Sequence, residues 1–185
     1  MLKSRITPCL LVRDKGLVKT KNFKPYKYIG DPINAIRIFN EKEADELIVL
    51  DIDATSMAIN PDFSMIKKIA PECRMPLCYG GGIKTVEHAE QIISMGVEKV
   101  ALSSAFIANP NLVADISSKI GSQSVVVVLD VKKSFFGNYE VYTHNGSTRT
   151  KKTPSELAKL AVRYGAGEVI VNSIDLDGSM TGYDL

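Results

Sequence analysis

The chain has 185 residues, 45% of them apolar and 24% charged, with a formal net charge of +2. That length is enough for one domain with a sizeable core, and a charge so near neutrality supports neither a nucleic-acid nor a membrane-surface role. The three cysteines, Cys9, Cys73 and Cys78, have neither disulfide-framework nor metal-ligand spacing, the N-terminus carries no signal-peptide apolar stretch, and no run could cross a bilayer; the expectation is a cytoplasmic protein with no metal and no organic cofactor.

In chain order, six short β-branched runs read as strands: residues 6–12, 46–52, 76–80, 99–103, 124–130 and 168–174. They show little polar alternation, as expected of parallel strands buried on both faces, and Cys9 and Cys78 within them read as buried thiols. Helical patterns lie between them. Asp31-Pro32 is an N-cap with proline at the first helical position, opening "INAIRIFNEKE". Thr85 opens "VEHAEQIISMG" and Thr153-Pro154 opens "SELAKLAVRYG", with Gly96 and Gly165 as stops. Strand and helix alternate, which predicts an α/β fold with right-handed crossovers.

The chain also repeats itself. "ADELIVLDID" (44–53) matches "AGEVIVNSID" (166–175) at an offset of 122, pairing Glu46 with Glu168 and Asp53 with Asp175. The first strands of the two halves pair Leu11 with Asp130 at an offset of 119. Four strands precede the repeat and two follow its start. The expected fold is therefore a (β/α)8 TIM barrel of half-barrel-duplication type, C-terminally truncated, with about six of eight strands present. It is read as one incomplete domain over 1–185, with 1–120 the first half-barrel and 121–185 the start of the second. A doubly wound open sheet is the rival, and the half-domain repeat favours the barrel.

A barrel builds its site at the C-terminal strand ends. Those ends carry Leu11, Asp51 with Asp53, Gly80 to Gly82, Ser103 with Ser104, Asp130, and Asp175 with Asp177 and Gly178. Acids there suit general acid–base work, because partial burial raises a carboxyl's pKa toward neutrality. The bland alternative, a turn aspartate capping the next helix, weighs most on Asp51 and Asp53. "YGGGIKT" offers backbone N–H groups at Gly81 and Gly82, and "ALSSAFIANP" adds two hydroxyls on the next strand; together they read as a phosphate cradle. "DLDGS" lacks the spaced oxygens and closing glutamate of a calcium loop. At the opposite strand ends, Arg5, Glu46, Lys99 and Glu168 would meet around the lower mouth, as a structural salt-bridge ring or as a gate.

"RITPCLLV", "GDPINAIRIFNEKEADELIVLDI", "GGGIKTVEHAEQIISMGVEKVALSSA", "EVYTHNGS" and "GAGEVIVNSIDLDGSMTGYDL" together resemble the cyclase subunit family of imidazole glycerol phosphate synthase, over the whole chain. The resemblance implies a glutaminase subunit at the N-terminal face of the barrel, ammonia passing upward through it, and a phosphorylated nucleotide substrate above. It implies a gate of Arg5, Glu46, Lys99 and Glu168, and a phosphate site on Gly82, Ser103 and Ser104, where the family usually has Asn at the position of Ser103. It implies a substrate-holding Lys19, acidic site positions at Asp51, Asp130 and Asp175, and a second phosphate site drawing on Asp175 to Gly178. The family's cyclase chemistry uses two facing aspartates, and here the partner of Asp130 is Leu11. The expected product is imidazole glycerol phosphate, in histidine biosynthesis, with cyclisation impaired. The alternative is a non-cyclising ammonia conduit that partners a glutaminase and a sugar amidotransferase in surface-polysaccharide biosynthesis. Neither nucleic acid nor membrane is an expected partner.

Overall fold

The computed structural model describes residues 4–134 and 137–184. Strand β1 (Cys9–Arg13) runs into a hairpin, β2 (Gly16–Thr20) and β3 (Tyr26–Gly30). Then come α1 (Pro32–Glu41), β4 (Leu47–Asp51), α2 (Phe63–Ile69), β5 (Leu77–Gly80), α3 (Val86–Ser94), β6 (Lys99–Leu102), α4 (Ser104–Ala108) and α5 (Asn111–Ile120). The second repeat supplies β7 (Val125–Lys133), a hairpin of β8 (Tyr139–Thr143) and β9 (Thr148–Arg149), α6 (Pro154–Arg163) and β10 (Glu168–Ser173). Among these, β1, β4, β5, β6, β7 and β10 pair side by side in parallel, in chain order.

Local chemistry sets the helix starts. The Asp31 carboxylate accepts the N–H groups of Ile33 (2.8 Å) and Asn34 (3.2 Å), and Pro32 contributes a fixed φ where no N–H is needed. Thr153 and Glu156 form a reciprocal capping box on α6. Both helices bury one stripe, Ile36 on α1 and Leu157 with Ala161 on α6. That layer is filled from the sheet by Leu10, Val12, Leu47, Val49, Leu77, Tyr79, Val100, Leu102, Val127 and Leu129. The alternate residues, Ile48, Cys78, Ala101, Val126 and Val128, make a separate apolar cluster on the other face. Period-two alternation thus divides each strand between a helix-facing core and an inner one.

The sheet is curled. Arg5, just ahead of β1, is ion-paired with Glu168, the first residue of β10, although these strands stand at opposite ends of the parallel order. At the other end of the strands, Thr20 Oγ1 donates to Asp177 Oδ2 at 2.7 Å, and the Phe23 N–H donates to the same oxygen at 3.0 Å. No backbone pairing joins β1 to β10 among the described residues, and the outer edge of β10 is unpaired.

Four readings need correction. The first strand begins at Cys9 rather than residue 6: the Ile6 side chain is 73% exposed, and its N–H is taken by the Asp45 carboxylate at 2.7 Å. Cys9 is exposed, since it points to the inner face on the first strand, whereas Cys78, two strands inward, is buried. The fifth parallel strand runs on to Lys133, because β8 pairs antiparallel with Asp130 to Lys133 and extends it. Both hairpins were unforeseen, and they occupy equivalent places. Each prolongs the first strand of its half: β2 against Leu11 to Arg13, β8 against Asp130 to Lys133.

Candidate functional site

At the lower mouth four side chains make a closed ring of alternating charge. Glu46 accepts from Arg5 Nη1 at 2.8 Å and from Lys99 Nζ at 2.7 Å; Glu168 accepts from Lys99 Nζ at 2.8 Å and from Arg5 Nη2. Glu46 is almost wholly buried, and it is held there between two cations, the condition under which an inward carboxylate is tolerated. Burial pushes Glu168 up and Lys99 down, but each is overcome by the opposite charges it touches. Glu168 titrates below the ordinary glutamate value and Lys99 above the ordinary lysine value. The ring sits beneath the inner cluster of Ile48, Cys78, Ala101, Val126 and Val128, flanked by Leu50 and Ile170.

Above that cluster lies Asp130. Its neighbours Leu129 and Val131 belong to the helix-facing core, so its carboxyl points to the inner face. Asn172, its register partner on β10, donates Nδ2 to Asp130 Oδ1 at 3.1 Å. Burial pushes the Asp130 carboxyl up to about 6; the Asn172 amide opposes the rise and the Asp177 charge adds to it. Leu11 stands in the equivalent place of the first half, between the core residues Leu10 and Val12, and its register partner on β4 is Leu50. Leu50 and Asn172 are 122 residues apart, the spacing of the internal repeat. An acid–amide pair in one half therefore corresponds to two leucines in the other.

The remaining strand-end residues divide into those that hold turns and those left free. Asp51 Oδ1 accepts the N–H groups of Asp53 (3.0 Å) and Ala54 (3.1 Å), a turn cap, while burial, working against those two donors, keeps the carboxyl above its usual range. Asp53 is buried in an ion pair with Arg13 at 3.0 Å, and the Arg13 guanidinium lies over the Tyr26 ring. Asp175 Oδ2 accepts the Lys133 N–H at 3.0 Å. Gly178 passes so close to the hairpin that a Cβ there would fall 2.1 Å from the Thr20 carbonyl oxygen. Gly81 and Gly82 form the turn after β5; Gly82 has φ +73°, and a Cβ on it would meet the backbone of Ile59 to Pro61 at 2.9 Å. Ser103 makes no capping bond, and Ser104 Oγ accepts the His144 N–H at 3.3 Å from the turn between β8 and β9. Lys19 is exposed on β2, opposite Lys27.

Sequence reading reached Asp130 and the ring but missed Asn172. The signal was there: an amide within a strand whose repeat partner, Leu50, is apolar. It also missed Asn145, whose Nδ2 donates to the Ile52 carbonyl at 2.8 Å and draws the second hairpin across the strand ends.

A curled parallel βα sheet with an apolar interior, and with acids, glycines and hydroxyls gathered at the C-terminal strand ends, defines the class of barrel-type α/β proteins. Within that class the chain belongs to the histidine biosynthesis protein family, whose model matches residues 5–185. A Vibrio vulnificus protein provisionally named imidazole glycerol phosphate synthase subunit hisF3 is 55% identical over 186 residues, covering all of this chain and 72% of the relative. A Pseudomonas aeruginosa protein provisionally named subunit hisF2 is 53% identical over 184 residues, with 73% of it covered. The imidazole glycerol phosphate synthase subunit HisF of Alkaliphilus metalliredigens is 40% identical over 185 residues, again with 73% covered. Among the described residues no helix is long and apolar enough to cross a membrane.

Proposed function

We propose that this protein is an ammonia-handling subunit of the imidazole glycerol phosphate synthase type, taking glutamine-derived ammonia from a glutaminase partner at its lower face. The observation that carries this reading is the closed ring of Arg5, Glu46, Lys99 and Glu168 directly beneath an apolar interior. A neutral small molecule crosses such an interior without needing hydration, whereas an ion does not. The acceptor is a phosphorylated small molecule above the strand ends. Gly81, Gly82, Ser103 and Ser104 serve one phosphate, and Asp175 to Gly178 contribute to another. Lys19 reaches the acceptor by movement of its hairpin, and Asp51 and Asp130 supply the acidic lining. The full barrel of this reading has eight strands, of which six are represented here.

Formation of imidazole glycerol phosphate requires a proton donor and a proton acceptor across the mouth, and Leu11 supplies neither. Losing one such group slows a reaction by about 10²–10⁴-fold. The second reading is a conduit that delivers ammonia to a different acceptor, a sugar amidotransferase substrate among them; the Leu11–Leu50 pair favours it, because both partners in the first half are hydrocarbon. Turnover of the ribulosyl nucleotide with ammonium salts separates the two. Little or no cyclisation, raised about 100-fold or more by Leu11→Asp, is expected for a cyclase scaffold with a missing group; no gain from Leu11→Asp leaves the conduit. The ring has its own test. Glutamine hydrolysis by the paired glutaminase should be stimulated by this protein, and Lys99→Glu should abolish the stimulation; unchanged stimulation would remove the gate.

A further inference from the structure

Asn172 is a polar residue on a strand whose other inward positions are Glu168 in the ring and Ile170 in the apolar cluster. Its Nδ2 is committed to Asp130 Oδ1 at 3.1 Å. That bond fixes the amide's orientation: a carboxylate beside an amide carbonyl would be repelled, so the carbonyl oxygen is turned away from the one carboxylate oxygen already bound. Two acceptors are left over, Asp130 Oδ2 and Asn172 Oδ1. Neither has a protein partner among the described residues, and neither is among the sealed polar atoms. They belong to adjacent strands at one register level, at the upper end of an interior lined by Ile48, Cys78, Ala101, Val126 and Val128, whose side chains carry no oxygen or nitrogen. Among the described residues no arginine or lysine is ion-paired with Asp130, and the cations of the ring, Arg5 and Lys99, are at the other end of the strands.

We propose that Asp130 and Asn172 together form a two-acceptor seat for a small N–H donor, ammonium or ammonia, at the top of the interior. This deepens the ammonia-handling reading and rests on it for its biological sense, but not for its geometry. The seat is built from complementary chemistry. Ammonia leaving an apolar passage carries three N–H bonds and needs acceptors; the carboxylate and the amide carbonyl supply two of them. When ammonium reaches the seat from the solvent above, or ammonia is protonated there, the carboxylate supplies the counter-charge as well. The pair has no equivalent in the first half, where Leu11 and Leu50 occupy the matching register, so the molecule has one such seat rather than two facing ones. The other titratable groups near the seat are Asp177 in the segment after β10, the Cys9 thiol on β1 and Tyr142, the register partner of Asp130 on β8.

The test uses the full chain alone, with no glutaminase and no nucleotide. The Asp130 carboxyl is titrated by carbon-13 NMR in ammonium chloride and in tetramethylammonium chloride at equal ionic strength. A seated ammonium favours the charged carboxylate, so its midpoint should be lower in ammonium by about half a pH unit or more. Asn172→Leu should remove that difference while raising the midpoint in both salts, and Asn172→Thr, which keeps one acceptor, should retain part of it. Equal midpoints in the two salts for the unaltered protein would overturn the proposal. So would an equal lowering by potassium, which has the size of ammonium but no N–H bonds. Because the glutaminase is absent, a failure here is distinct from a failure of the gate, which Lys99→Glu reads separately.

Discussion

Asp130 shows what a strand end does to a single carboxyl. Burial removes its hydration, and the one amide it keeps offsets only part of the loss, so the group titrates at about 6. An unfolded aspartate titrates near 3.9. The folded chain therefore holds an extra proton between those values. The carboxyl's contribution to stability is fully present below about pH 4 and is lost as the pH rises through 6. Asp130→Asn should raise stability by about 1–3 kcal/mol at pH 7 and by little at pH 4, measured by urea unfolding at the two pH values. A gain of equal size at both would mean that the folded carboxyl is not perturbed. The residue was legible in the sequence because it interrupts an apolar run with no turn residue beside it. Asn172 was marked only by its mismatch with its repeat partner Leu50, and a lone amide in a strand has many bland explanations until its own partner is known. Asp51 was legible only as two alternatives, and its bonds to Asp53 and Ala54 give it the turn-capping role whatever else it does.

Elements were legible where their ends carry their own chemistry. The N-caps Asp31, Thr85 and Thr153 all accept backbone N–H groups where expected, and Gly96 and Gly165 follow the last turns of α3 and α6 with positive φ. The capping box on α6 satisfies two orphan donors at once. Thr153→Ala should cost about 1 kcal/mol in thermal or chemical unfolding, without changing the ring below. A neutral result would mean that α6 is held by its Leu157 and Ala161 stripe alone. The two hairpins escaped sequence reading for a physical reason. β2 and β3 are short, each carries one lysine (Lys19 and Lys27), and all of Tyr26 to Ile29 is exposed, so neither shows the apolar run of a buried strand. Their pairing partner is the end of β1, a contact made by register and not by composition.

On the scale of the whole molecule, the curled sheet leaves three edges free among the described residues, those of β3, the two-residue β9 and β10, and β3 and β10 differ in character. β3 carries Lys27 and is exposed along its length, a charged edge of the kind that resists pairing with another chain. β10 reads "EVIVNS", has no charge after Glu168, and leaves Val171 57% exposed. Residues 1–185 expressed by themselves should therefore self-associate through β10. Sedimentation should show the association rising with concentration, and Val171→Lys should suppress it while Lys27→Val leaves the β10 route intact; a monomer at all concentrations would contradict the assignment. The ring is the other whole-molecule feature. Its four members come from four places in the chain, and only the curl of the sheet brings Arg5 to Glu168.

Composition, the 122-residue repeat and the caps determined by themselves that this is an α/β protein of parallel strands with acids, glycines and hydroxyls at their C-terminal ends, because those signals are local or periodic. They also placed the four ring residues at strand starts. The tertiary structure alone decided that those residues touch, that Leu11 with Leu50 mirrors Asp130 with Asn172, and that the first strand of each repeat is prolonged by a hairpin. Each of these depends on register and curvature, which arise from pairing between segments far apart in sequence.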